Sequence, residues 1–245
     1  MPGPAWAAPA VPAIWPLAGG FALAAALYAS VGFGGGSTYA ALLALSGFDY
    51  RLLPAIALSC NLIVVTGGTI RFAAVRQLPW RRALPLAAIA APFAWAGGLT
   101  PVAERLFLGL LGVSLLVAAL ALLLAPPQPV AASAPDARRP RWREPVIGAG
   151  IGYLSGLVGI GGGIFLAPVL HLTRWAPPRQ VAATASLFIL VNSLAGLAGQ
   201  VQKLAGAGLA GAAAGAWPLA LAVLVGGRSV RSPERGCWAR RWSGG

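Results

Sequence analysis

The chain has few charged residues and very few acidic ones, which excludes most classes of soluble protein. Charged side chains make up 9% of its 245 residues, and only 5 residues are Asp or Glu against 18 that are Lys or Arg. Soluble domains usually carry about a quarter charged residues, so we expect a membrane protein instead. The basic residues fall in gaps between apolar runs, which is typical of positive-inside loops and not of a nucleic-acid-binding face.

Groups that support catalysis or metal binding are also scarce. The chain has two cysteines and one histidine, and no Asp, Glu, Lys or Arg lies within an apolar run. The sequence therefore offers no paired carboxylates, catalytic triad or cluster of metal ligands. We expect no enzymatic activity, no cofactor and no metal. The start lacks the basic segment of a signal peptide, so we expect the first apolar run to be retained.

Long apolar runs are what the sequence has in abundance. Hydrophobic residues make up 58% of the chain, and the mean hydropathy is +0.77. Because a membrane-crossing helix needs about 20 largely apolar residues, the sequence predicts an all-α, polytopic membrane protein. About seven spans are predicted, near residues 14–46, 52–70, 83–99, 106–125, 146–172, 180–201 and 205–227.

Glycine clusters interrupt two of these runs. The first run contains Gly32, Gly34, Gly35 and Gly36, and the fifth contains Gly159, Gly161, Gly162 and Gly163. Gly159, Gly161 and Gly163 stand 127 residues after Gly32, Gly34 and Gly36. At the same offset, Ser186 follows Ser59 and Ser193 follows Thr66. Each glycine within a helix costs about 1 kcal/mol relative to alanine, so the clusters predict broken helices. Paired broken helices in two halves of a chain are typical of a transporter's binding site.

The repeat predicts a domain organisation and a topology. We expect a first membrane repeat over 14–125, a Pro/Arg-rich linker over 126–145, an incomplete second repeat over 146–227 and a basic tail over 228–245. If both broken runs cross the membrane completely, the basic loops lie on one side together with the amino terminus, and the repeats are parallel. That side is then cytoplasmic. The second half lacks a counterpart of 106–125, which predicts a missing eighth span or a damaged reading frame.

The candidate site is the pair of glycine breaks with the polar residues that follow them. Unwound backbone frees N–H groups, and the half-helix that follows offers a positive N-terminus suited to an anion. The predicted substrate-binding residues are therefore the eight glycines of the two clusters together with Ser59, Asn61, Thr184 and Ser186.

Other interpretations of the same residues are close helix packing and hydrogen bonds between helices. Packing alone is favoured for the evenly spaced Gly148, Gly152 and Gly156. A dinucleotide-binding fingerprint is rejected, since no acidic residue follows about 20 positions later. No GK[ST] follows either, which excludes a P-loop.

These motifs resemble those of a known family. Gly159-Ile160-Gly161-Gly162-Gly163 with Pro168, followed by Ala182-Ala183-Thr184-Ala185-Ser186, is similar to the duplicated motif of the sulfite exporter TauE/SafE family of bacterial membrane transporters. The cluster at Gly32–Gly36 with Ser59 looks like that family's first module, although Ala41 stands where the second module has Pro168. The resemblance covers about residues 17–227.

The resemblance implies a function and a set of partners. It implies export of sulfite or organosulfonate-type anions across the bacterial inner membrane, with a lipid bilayer and a small anion as partners and no nucleic acid. A non-transporting membrane scaffold and a truncated, inactive relative are the alternatives. The sequence does not indicate which anion is carried or the oligomeric state.

Overall fold

The computed structural model describes residues 11–123, 143–173, 175–209, 211 and 215–229, and every regular element among them is a helix. This confirms the all-α fold. Four of the helices in the described part of the chain are long and apolar enough to cross a membrane, namely α3, α4, α5 and α8. The helices are α1 (Val11–Val31), α2 (Gly36–Leu45), α3 (Leu53–Ala74), α4 (Trp80–Leu99), α5 (Glu104–Leu123), α6 (Arg143–Val158), α7 (Gly163–Leu172), α8 (Pro178–Gly206) and α9 (Trp217–Ser229).

Both predicted helix breaks are present. Residues 32–35 separate α1 from α2, and residues 159–162 separate α6 from α7. The last predicted span differs, because residues 205–206 belong to α8 and α9 begins only at Trp217. Most of the predicted linker (126–142) and most of the predicted tail (230–245) lie outside the described residues.

The first break reverses the chain, so that α2 runs back beside α1. The hydroxyl groups of Tyr28 and Thr38 are 3.0 Å apart, and the rings of Phe21 and Tyr39 stack with their centroids separated by 4.8 Å. Residue numbers thus fall along α1 as they rise along α2. The two helices form a re-entrant hairpin.

The second break reverses the chain in the same way. α6 runs parallel to α4, since Gly148 lies against Leu86 and Gly156 against Ala94. α7 then returns, and Leu170 packs in one cluster with Leu86 near the start of α4. Just beyond α7, the backbone oxygen of Trp175 accepts a hydrogen bond of 3.4 Å from Arg82.

The two halves of the molecule run in opposite directions. We call the end that carries loop 75–79 and the starts of α4 and α6 the basic end, and the end that carries loops 46–52 and 100–103 the far end. Arg71, near the basic end of α3, donates a hydrogen bond of 2.5 Å to the carbonyl of Ala29, near the end of α1. α1 therefore starts at the far end, whereas α6 starts at the basic end.

Two topological predictions are consequently wrong. The repeats are inverted and not parallel, and α1 does not start on the side of the basic loops. Both predictions assumed that the broken runs cross the bundle completely. Each broken run instead folds back on itself and ends at the side where it began. The chain therefore crosses the bundle three times, by α3, α4 and α5, between the start of α1 and the start of α6, and not four times as predicted.

Glycine allows α4 to pack tightly against α6. A Cβ at Gly152 would lie 2.5 Å from the Ala90 carbonyl oxygen, and one at Gly156 would overlap the Ala94 carbonyl oxygen. Backbones that approach this closely tolerate no side chain between them. The packing role predicted for this glycine series is confirmed.

Candidate functional site

α3 and α8, the first long helices after the two breaks, cross antiparallel in the middle of the molecule. Two side-chain hydrogen bonds join them: Asn61 donates from Nδ2 to Ser193 Oγ at 2.9 Å, and the hydroxyls of Thr69 and Ser186 are 3.0 Å apart. All four side chains are buried. The crossing thus holds a polar centre inside an otherwise apolar bundle.

Asn61 lies where the two breaks meet. Its Oδ1 accepts a hydrogen bond of 3.1 Å from the N–H of Gly36, the first residue of α2. A Cβ at Gly161 would overlap Asn61 Nδ2, and a Cβ at Gly36 would lie 2.5 Å from the backbone oxygen of Ile160. Two glycine clusters that lie 127 residues apart in sequence therefore share one asparagine. We call this place the junction.

The backbone at the second break requires glycine. Gly161 has φ +83° and Gly162 has φ +79°, a left-handed region that residues with a side chain rarely adopt. Gly162 is the N-cap of α7, and its carbonyl accepts hydrogen bonds from the N–H groups of Phe165 and Leu166. The starts of α2 and α7 both lie at the junction, and each carries about half a positive charge.

All of the predicted site residues except Ser59 and Thr184 fall into two groups. Those brought together at or beside the junction are Gly34, Gly36, Asn61, Gly161, Gly162 and Gly163, with Ser186 hydrogen-bonded to Thr69 farther along the same crossing. Three predicted glycines pack elsewhere: Gly32 against Phe72, Gly35 against Tyr39, and Gly159 against Pro54.

Ser59 has a local structural contact. Its hydroxyl donates a hydrogen bond of 2.8 Å to the Ala55 carbonyl one turn back on the same helix. The structure therefore gives Ser59 and its repeat mate Ser186 different partners, although they stand at equivalent positions of the repeat.

Two buried hydroxyls, one on α6 and one on α8, have no hydrogen-bond partner within the described part of the chain. They belong to Thr184, which was predicted, and Ser155, which was not. Ser155 lies close to the start of α7, since its Cβ is 3.3 Å from the position of a Cβ at Gly162. An unpaired buried hydroxyl lowers the stability of the fold by about 1–3 kcal/mol, so a bound partner that accepts a hydrogen bond from it would offset this cost.

The junction is neutral. The segments that form it, residues 32–45, 53–70, 146–170 and 180–202, contain no Asp, Glu, Lys or Arg. Within the described residues no three side chains of His, Cys, Asp or Glu gather into a group that could hold a metal ion. Any attraction for an anion must therefore come from helix N-termini, amides and hydroxyls.

This arrangement defines a class of protein. An all-helical polytopic membrane protein with inverted halves, whose broken helices meet in the interior, has the architecture of a secondary transporter.

Comparison with known proteins places the chain more closely. The sequence model of the sulfite exporter TauE/SafE family matches residues 17–230. A probable membrane transporter protein, y4hK, from Sinorhizobium fredii (strain NBRC 101917 / NGR234) is 38% identical over 184 residues, which cover 75% of this chain and 74% of that protein. No solved structure matches the chain. The chain belongs to the sulfite exporter TauE/SafE family and is a membrane transporter of that type.

Proposed function

We propose that the chain exports small anions, such as sulfite or organosulfonates, through a site at the junction. The observation that supports this most is the meeting of both glycine breaks on Asn61, with the starts of α2 and α7 facing the same interior. The family is described as a sulfite exporter family, and the matched relative as a probable membrane transporter.

Neutral donors suit an anion that must also leave. Each half-helix N-terminus carries about half a positive charge, so the two together attract a monovalent anion without an arginine or lysine. Within the described residues, the Ser155 hydroxyl beside the start of α7 has no partner, and Ser193 bonds only Asn61, so these two groups supply hydrogen bonds to the anion. The Thr184 hydroxyl, also without a partner there, would supply another farther along α8. A buried fixed cation would bind the anion more strongly but would slow its release.

The inverted halves suit alternating access. Two hydrogen bonds join α3 to α8, one from Asn61 to Ser193 and one between Thr69 and Ser186. Hydrogen bonds between membrane helices contribute about 0.6 kcal/mol on average, so a sliding interface can break them in turn. We place the hinge of the transporter at this crossing.

Export needs no proton in this proposal. No carboxylate stands in the segments that form the junction. Moving a monovalent anion outward, down an inside-negative potential of about 100 mV, is favourable by roughly 2.3 kcal/mol. We therefore propose electrogenic uniport in the bacterial inner membrane. The basic end faces the cytoplasm, so α1 starts on the outer side.

Flux measurements in liposomes test the function. The full chain is reconstituted, and efflux of sulfite, thiosulfate, sulfoacetate and sulfate is followed under an imposed potential or an imposed pH gradient. At least one of these anions should leave faster when the interior is negative. Efflux equal to that of protein-free liposomes for every anion would refute transport. Efflux driven by the pH gradient and insensitive to the potential would refute uniport.

A further inference from the structure

A second polar feature lies away from the junction, at the far end. A cavity of about 250 Å³ opens there between loop 46–52, loop 100–103 and the end of α8. Its lining includes Arg51, Lys203, Tyr50 and Thr100, with Leu157 and Pro54 on the side toward the second break. A Cβ at Gly159 would lie 2.5 Å from Pro54 Cα, so Pro54 stands between the cavity and the second break.

Lys203 is an unusual residue to find in this cavity. It is the only lysine of the chain, it lies half-buried in the last turn of α8, and no acidic side chain of the described residues pairs with it. Removing an ammonium group from water without an opposite charge is costly. A counter-ion from solution would offset that cost.

The second cation of the cavity is already partly compensated. The Arg51 guanidinium donates to the Tyr50 hydroxyl at 3.3 Å, and Asp49 and Glu104 stand near it. Tyr50, which lines the cavity, accepts this bond and still has its own hydroxyl proton to donate. Arg51 and Tyr50 therefore supply directed hydrogen bonds, whereas Lys203 supplies the uncompensated charge.

We propose that this cavity binds a small oxyanion between Lys203, Arg51 and Tyr50, and so forms an anion vestibule outside the second break. The proposal rests on the proposed function, since the vestibule serves anions that pass the junction. At about 30 Å³ for each water molecule, the cavity has room for an oxyanion together with a few waters.

Because the chain has one lysine, amine acylation reports on this cavity without any mutation. The purified full chain is treated with an acylating reagent, and the rates at Lys203 and at the α-amino group of Met1 are followed by peptide mass spectrometry. Sulfate is the probe, compared with gluconate at equal ionic strength. We expect sulfate to slow acylation of Lys203 severalfold and to leave that of the α-amino group unchanged. Equal rates in sulfate and gluconate, or equal slowing of both amines, would overturn the vestibule.

Variants sharpen this test. Arg51→Gln should weaken the protection of Lys203 by sulfate. Arg81→Gln is the matched control, because Arg81 is exposed at the basic end and does not line the cavity. If sulfate protected Lys203 as fully in Arg51→Gln as in the wild-type chain, Arg51 would not contribute to anion binding.

The outcome is separate from that of the transport assay. Protection of Lys203 in a chain that carries no flux would support an anion site in the cavity and refute the transport proposal. Anion flux without protection of Lys203 would support the transport proposal and refute the anion site in the cavity.

Discussion

At the scale of single residues, Asn61 holds the junction together, and its loss should destabilise the fold. Asn61→Leu leaves the N–H of Gly36 and the hydroxyl of Ser193 buried without a partner. Each unpaired group costs about 1–3 kcal/mol, so we expect a clearly lower melting temperature in detergent. Ser59→Ala is the control, because its hydroxyl bonds only its own helix and its loss should change stability by about 0.5 kcal/mol or less. Equal melting temperatures for the two variants would contradict this role.

Thr184 should respond in the opposite direction. Thr184→Val keeps the shape of the side chain and removes a buried hydroxyl that has no partner within the described residues. We expect the free energy of unfolding to rise by about 1 kcal/mol, measured by thermal or denaturant unfolding. Thr66→Val is the matched control on α3, since the Thr66 hydroxyl already bonds the Leu62 carbonyl at 2.7 Å and its removal should bring no gain. A destabilised Thr184→Val variant would show that this hydroxyl is paired in the protein.

At the scale of helices, the second break depends on glycine for its backbone conformation. Gly162→Ala places a side chain at φ +79°, with Phe188 Cε1 3.0 Å from the new Cβ. The left-handed conformation alone costs roughly 1–2 kcal/mol, so the melting temperature should fall. Gly150→Ala is the control. Gly150 lies within α6, and a Cβ there would have no atom within 4 Å apart from its chain neighbours and its own helix backbone. Alanine at this position should stabilise the helix by up to about 1 kcal/mol. If Gly162→Ala were as stable as Gly150→Ala, the break would not have the described backbone.

The sequence alone predicted where the helices break but not where the chain goes next. A glycine cluster indicates that a helix ends; the direction of the chain afterwards depends on partners far away in sequence. The stacking of Phe21 on Tyr39 and the hydrogen bond from Arg71 to Ala29 fix the first reversal. Neither contact leaves a local signal in the sequence.

The same limit applies to the site. In the repeat, the 127-residue offset aligns Ser193 with Thr66. It aligns Asn61 with Phe188, so Asn61 has no polar counterpart in the second half. The bond between Asn61 and Ser193 instead follows from the antiparallel crossing of α3 and α8, which only the inverted topology creates. Ser155 has no counterpart signal either, because it stands in a glycine-rich run whose pattern indicates packing.

At the scale of the whole molecule, the inverted halves predict the side on which α1 starts. With Cys60 and Cys237 replaced by alanine, single cysteines are introduced as Trp15→Cys, Ser46→Cys and Val75→Cys, all at exposed positions. A membrane-impermeant maleimide should label positions 15 and 46 from the same side and position 75 from the other. The reagent is applied to intact cells and to inverted membrane vesicles. Labelling of positions 15 and 75 from the same side would contradict the inverted arrangement and support parallel repeats.

Anion flux in the wild-type chain and in Ser155→Ala tests the central claim most directly. The Ser155 side chain lies beside the start of α7, and its hydroxyl has no partner within the described residues, so this substitution is expected to leave the fold intact. Both proteins are reconstituted in equal amounts, and sulfite efflux is measured under an inside-negative potential. A hydrogen bond to a charged group contributes about 1.5–3 kcal/mol, so losing it should slow efflux by roughly 10-fold or more. The account predicts potential-driven efflux in the wild type and this loss in the variant. Equal efflux from the two, or wild-type efflux no faster than that of empty liposomes, would contradict an anion site at the junction.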